Sequence, residues 1–425
     1  MKTFFTLCLA LVSTFLLAQS TYLHCGKLFN AEKGKFLGPQ TIVVEGNQIK
    51  SLIKGYQNPT DKNAKVIDLK LKTVYPGLID MHVHIEGEYS PDRYLKVFQN
   101  NPADTAYEAA EIANRTLMAG FTTVRDMGGS GVNISLRNAI NKGKVPGPRI
   151  FTAGKAIGTT GGHADPTNGF KNDFQGDPGP KEGVINSVDD AKKAIRQRYK
   201  NGADWIKITA TGGVLSVAKS GQNPQFTNEE LAAITKTASD YGFKVAAHAH
   251  GDEGMYRAVA NGVKTIEHGT LIEERTMELM KTKNAFLVPT ITAGKFVAEQ
   301  AKIPGSYPAI IVPKAIAIGA QIQQTFKKAY EFGVPIAFGT DAGVFPHGEN
   351  AKEFIYMNEM GMPVEEALQL ATLKNADLLD QSDRLGQLKP GYLADIIATD
   401  ERPNKNISTL INVTFVMKHG VVYKN

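Results

Sequence analysis

Between residues 76 and 385, short β-type runs alternate with stretches of helical periodicity. The runs fall at 77–85, 122–126, 149–153, 205–210, 244–250, 265–268, 286–290 and 336–341. Strands separated by helical crossovers must lie parallel, so the segment is either a closed barrel or an open doubly wound sheet. No glycine-rich nucleotide fingerprint follows any of the runs, which disfavours the open sheet. The clearest helix is 227–241, where Thr227 and Glu230 form a capping box and Gly242 ends the run. Stretches 189–200 and 310–331 are also long and helix-like. The expected fold class is therefore α/β, a (β/α)8 barrel of TIM type. A chain of 425 residues suits such a barrel, of ~250 residues, plus additions.

The additions flank the barrel. Residues 21–75 carry β runs at 41–44 and 66–69, with Glu45-Gly46-Asn47 as a turn after the first. Residues 386–425 carry runs at 394–397 and 413–416, then a His419-Gly420 turn before 421–423. Neither end could bury a sheet face alone. They are expected to pair into one small β-sandwich beside the barrel at 76–385.

Residues 1–20 read as a signal peptide, with Lys2, an apolar run from Phe4 to Leu17, and Ala18-Gln19-Ser20 as the cleavage region. The product is expected outside the cytoplasm, periplasmic or secreted, with no membrane partner once the leader is gone. A lipid on Cys25 is disfavoured, because Tyr22-Leu23-His24 lacks the small residues such processing needs. Cleavage would remove Cys8 and leave Cys25, so no internal disulfide can form, and Cys25 is expected to be simply buried. The net charge of +6 is mild for this length. No Lys/Arg stripe interleaved with aromatics is present and no phosphate-binding loop, which excludes nucleic acid as an expected partner. Homo-oligomerisation is left open.

The chemistry lies where His and Asp residues meet strand ends. His82 and His84, spaced by two on a strand, put both imidazoles on one face. A lone histidine is more often structural, but a His-x-His pair at the C-terminal end of a strand is a ready metal clamp, suited to Zn, Fe, Ni or Mn. His248, His268 and Asp341 end the fifth, sixth and eighth runs. Barrel active sites are built at that end. Lys207 sits in the fourth run among apolar neighbours, where burial favours its neutral amine. It either pairs with an acid such as Asp341, or takes up CO2 as an anionic carbamate able to bridge two metal ions.

Pro76-Gly77-Leu78-Ile79-Asp80-Met81-His82-Val83-His84 resembles the opening motif of the amidohydrolase superfamily. The ordered set His-x-His, Lys, His, His, Asp is similar to its binuclear subtype with a carboxylated lysine. Gly161-Gly162-His163-Ala164-Asp165, Thr211-Gly212-Gly213-Val214-Leu215-Ser216 and Ala247-His248-Ala249-His250-Gly251 resemble the imidazolonepropionase-related branch. That branch includes prolidase-like metallo-dipeptidases, Xaa-Arg/Lys dipeptidases and ochratoxinase. The resemblance implies His82, His84, Lys207, His248, His268 and Asp341 as ligands of two divalent ions, with zinc the expected metal and a carbamate on Lys207. It implies Asp341 as the group that takes the proton from the attacking water and passes it to the leaving amine. Many relatives carry a different residue where this chain has Val217, in a loop expected to touch substrate, so the resemblance does not carry the side-chain preference.

The small-molecule substrate expected first is a dipeptide. Hydrolysis of an N-acyl amino acid or a cyclic amide is the alternative on the same fold, and a non-enzymatic binding protein the contrasting one. Substrate contacts are expected from His163, His250, Lys219 and Ser220. Arg125 and Asp126 are expected to form a mutual or capping ion pair. Glu267, next to a ligand, is expected to face away from the metals. His347 lies near the mouth, without an assigned role. His24 and His419 are expected to be bland.

Overall fold

The computed structural model describes residues 19–217 and 220–425. Most of the expected leader therefore lies outside the described residues, as does Lys219. Among the described residues, no helix is long and apolar enough to cross a membrane.

The N-terminal strands are β1 (Thr21–Asn30), β2 (Lys35–Leu37), β3 (Gln40–Glu45), β4 (Gln48–Lys54) and β5 (Lys65–Pro76). The site-bearing strands are β6 (Leu78–Val83), β7 (Phe121–Asp126), β8 (Arg149–Thr152), β9 (Ile206–Thr209), β10 (Val245–Gly251), β11 (Thr265–Leu271) and β12 (Phe286–Val288). The chain closes with β13 (Ile396–Thr399), β14 (Phe415–Lys418) and β15 (Val421–Lys424).

Both terminal segments enter one eight-stranded sheet, ordered β15-β14-β13-β5-β1-β3-β4, with β2 paired to β1. The join is the antiparallel β13–β5 pair, which sets Ile397 against Tyr75. Leu23, Ile42, Ile67 and Leu69 pack there with Ile396, Phe415 and Met417 in one buried cluster. Each segment thus supplies the apolar face the other lacks. Cys25 is free and lies within this cluster, and burial pushes its thiol up to about 12.

β6, β7 and β8 form one parallel sheet, and β9 to β12 another. β6, β7, β9 and β10 are buried along their whole length, as parallel strands covered on both faces require. Two irregular segments link the sheets. Ile157 donates its N–H to the Lys207 carbonyl at 2.8 Å and accepts from Thr209 N–H at 3.0 Å, which ties the chain after β8 to β9. On the other side, Ala337 N–H reaches Leu287 O at 2.9 Å, and Asp341 N–H reaches His82 O at 2.7 Å.

The run expected as an eighth strand thus spans from β12 to β6 but makes only isolated bridges. Its irregularity has local causes. Asp341 has φ 61, outside the strand region. A Cβ on Gly339 would come within 2.4 Å of Val288 and 3.0 Å of the His82 nitrogen, so the backbone passes closer than a side chain allows. The expected helices are present as Val188–Asn201, Asn228–Asp240 and Val312–Phe332, the second with the Thr227/Glu230 box.

Candidate metal centre

Asp80 is fully buried at the start of the site. Its carboxylate accepts from His82 N–H (3.0 Å), Thr340 N–H (3.1 Å), Thr340 Oγ1 (2.7 Å) and Asn350 Nδ2 (2.8 Å). Burial pushes its pKa up to about 6, against those four bonds. Asp80 therefore staples the end of β6 to the 336–341 segment, and the staple brings Asp341 opposite His82, on β6, and His84, just past its end. Asp341 Oδ1 lies 3.4 Å from both His82 Nε2 and His84 Nε2.

Five of the surrounding rings have one nitrogen tied down by the protein. His84 Nδ1 donates to Gly128 O at 2.8 Å and His248 Nε2 to Gly212 O at 3.1 Å. A carbonyl only accepts, so in the neutral rings His84 Nε2 and His248 Nδ1 carry lone pairs. His82 Nδ1 meets Glu267 Oε2 at 2.7 Å, His268 Nδ1 meets Thr290 Oγ1 at 2.7 Å, and His250 Nδ1 meets Thr270 Oγ1 at 2.8 Å. Outward bonds of this kind orient metal-binding imidazoles. The rings adjoin one another, with centroids 5.3 Å apart for His82–His268, 4.7 Å for His248–His268 and 4.3 Å for His163–His248. Burial, reinforced by the neighbouring Lys207 and by the other imidazoles, holds His84 and His163 down to about 4 and His250 to about 3. His82, His248 and His268 are also held well below the usual histidine value, with burial the first cause. All are neutral at pH 7, the form that ligates.

His82 Nε2 and Asp341 Oδ1, which face each other, are among the buried atoms of this site that lack a hydrogen-bond partner. Buried polar atoms are rarely left so. Donor atoms of His82, His268 and Asp341 lie within 4.8 Å of one another. Two imidazoles and a carboxylate at that spacing fit a divalent cation. Lys207 lines the same cavity and is 4% exposed. Burial pushes its ammonium down, and it pushes the Asp341 carboxyl up. Among the described residues no ion pair joins Lys207 to Asp341 or to any other acid.

The cavity holds about 450 Å³ and is lined by His82, His84, His163, Lys207, His248, His250, His268 and Asp341, among others. This is within the range of small-molecule sites. His163 packs over Gly213, where a Cβ would sit 2.2 Å from its ring, and its Nδ1 is buried without a partner.

Several expectations are corrected. Arg125 does not pair with Asp126, because consecutive strand residues point to opposite faces. Arg125 donates to Glu267 Oε1 (2.8 Å) and Met81 O (2.6 Å), while Asp126 accepts from Ile85 N–H, Asn133 and Thr152. Glu267 does not face away. It holds the His82 ring, and the alternation fails because His268 has φ 72, which lets consecutive residues both serve the site. Ser220 is not on the cavity; its Oγ accepts from Gln222 N–H (3.1 Å) and Asn223 N–H (3.2 Å) and closes its own loop. His347 is also off the cavity. It donates from Nε2 to His84 O at 3.0 Å and so buttresses the strand end. His24 bonds Gln57 O within the terminal sheet, and His419 sits in the β14–β15 turn.

Sequence reasoning passed over Thr290 and Glu353. Glu353 accepts from Ile291 N–H, Thr292 N–H and Thr292 Oγ1, at 2.8, 2.8 and 2.6 Å. It caps the helix Ile291–Gln300 and fixes the turn carrying Thr290, which in turn holds His268.

A family model described as "Amidohydrolase family" matches residues 73–423. Ochratoxinase of Aspergillus niger is 32% identical over 378 residues, covering 84% of this chain and 76% of that protein. Imidazolonepropionase of Alkaliphilus metalliredigens is 25% identical over 406 residues, covering 86% and 84%. Among solved structures, a Xaa-Pro dipeptidase with methionine bound in its active site is 51% identical, with a TM-score of 0.92, covering 96% of this chain and 100% of that one. A prolidase complexed with N-methylphosphonate-L-proline is 31% identical, with a TM-score of 0.86 and the same coverage.

Proposed function

The chain belongs to the amidohydrolase family, whose members hydrolyse amide and peptide bonds, and from that premise we propose that it is a prolidase-like metallo-dipeptidase. The ring of segments β6 to β12, joined through 336–341, is read as a closed (β/α)8 barrel, and the terminal sheet as a β-sandwich folded beside it. The observation that carries the reading is the convergence of neutral, outwardly anchored histidines on Asp341 and Lys207 at one end of a 450 Å³ cavity. The dipeptidase and prolidase neighbours support the choice of substrate.

His82, His84, Lys207, His248, His268 and Asp341 would hold two divalent ions, zinc being the metal first expected from the nitrogen and oxygen donors. When bound, such ions lower the pKa of water and polarise the scissile carbonyl. A carbamate on Lys207 would add a second anionic group to the Asp341 carboxylate. Asp341 would take the proton of the attacking water on the carboxylate oxygen that does not ligate and return it to the leaving amine. The free carboxylate of a dipeptide needs partners, since an unpaired buried charge costs several kcal/mol. His163, with its unpartnered Nδ1, His250 and Lys155 line the cavity and could meet it.

Dipeptides with a free C-terminal carboxylate should therefore be far better substrates than their amides, as steady-state kcat/KM for matched pairs would show. Equal turnover of acid and amide would instead favour a cyclic amide on the same site.

A further inference from the structure

We propose that the cavity selects a bulky apolar side chain, of leucine, methionine or phenylalanine size, against a wall formed by Val214, Leu215, Val297, Ile318 and Val344. The proposal rests on the dipeptidase reading and adds the class of side chain the enzyme takes.

The five residues line the same cavity as the histidine cluster. They also belong to one packed apolar cluster, so the wall is continuous. Val214 and Val297 are buried, whereas Leu215, Ile318 and Val344 keep part of their surface free. Their origins differ. Val214 and Leu215 follow β9, Val297 lies on the helix Ile291–Gln300, Ile318 lies on the helix Val312–Phe332, and Val344 follows the 336–341 segment. The two helices meet closely at Gly294, where a Cβ would come within 2.7 Å of Ile322. Their approach fixes the position of the wall relative to the metal centre.

None of the five side chains carries a hydrogen-bonding atom. A charged substrate side chain placed there would lose water without gaining a partner. An apolar one would cover the exposed parts of Leu215, Ile318 and Val344 and release water from both surfaces. Among the polar residues of the cavity, His163, Lys155, Glu182 and His250 come from elements other than those of the wall.

The test is kcat/KM for dipeptides that differ in one residue at a time, at either position, with Leu, Met or Phe set against Gly, Asp and Lys. At one of the two positions the apolar residues should exceed Gly by about tenfold or more, since a single methylene in such a pocket is worth about tenfold, and should exceed Asp and Lys by a larger factor. Ile318→Lys should lose at least about tenfold on the apolar dipeptides and shift the ranking toward Asp. Circular dichroism establishes whether that variant folds. If it does not, Ile318→Ala must reduce the preference for Phe and Leu over Gly. Hydrolysis of all dipeptides at similar rates overturns the subsite and leaves the dipeptidase reading standing. Hydrolysis of none overturns the reading itself, and the subsite with it.

Discussion

Lys207→Ala is expected to lose most of its bound metal and to lower kcat/KM by at least about 10²-fold, the upper end of what removing a residue that only orients a metal ligand produces. The reason lies in the site's charge. The histidines of the cluster are neutral, and among the described residues Asp341 is the acid whose unpartnered oxygen lies beside them. Two divalent ions held by four imidazoles and one carboxylate would keep most of their charge uncompensated in a buried place. An amine cannot relieve this, and as an ammonium it makes matters worse. A carbamate on the same stem reverses the sign. Lys207 is suited to it, since it is buried, reaches the cavity and, among the described residues, has no acid within ion-pair distance. Ile206 and Ile208, its strand neighbours, pack on the other side of β9 in the main core, so truncating Lys207 should leave the fold in place. Elemental analysis gives the metal per chain, and added short-chain carboxylates should restore part of the activity by occupying the vacated position. Full metal content and full activity in the variant would remove the bridging role.

Asp341→Asn should lower kcat by ~10²–10⁴ with the fold intact, the scale of a lost general acid–base group. Asparagine has the same shape and tolerates the left-handed backbone of this position, where φ is 61. The backbone anchor from Asp341 N–H to His82 O does not depend on the side chain. What changes is the oxygen's ability to accept a proton and give it back. Burial pushes the Asp341 carboxyl up, with the Lys207 charge opposing. A change confined to KM, with kcat preserved, would reassign Asp341 to substrate binding.

The histidines were legible in the sequence because their signal is local. Two imidazoles at a spacing of two on a strand must share a face, and His248 and His268 close runs that read as strands without ambiguity. Lys207 was legible because a charged residue between Ile206 and Ile208 has few reasons to be there. What escaped has a common cause. Glu267 was placed on the wrong side because the alternation rule assumes extended backbone, and φ 72 at His268 breaks it. The partner of Arg125 is 142 residues away, and that of Thr292 is 61. No periodicity reports pairings across the fold. The irregular 336–341 segment reads as a strand, and only the close passage of Gly339 against Val288 and His82 shows why it cannot be a regular one.

Dipeptide hydrolysis by metal-free protein, followed as zinc is added stepwise, tests the metal centre directly. Activity should be absent at the start and rise to a plateau at two zinc ions per chain. No hydrolysis at any loading, or a plateau at one ion, would contradict a two-metal dipeptidase built on His82, His84, Lys207, His248, His268 and Asp341.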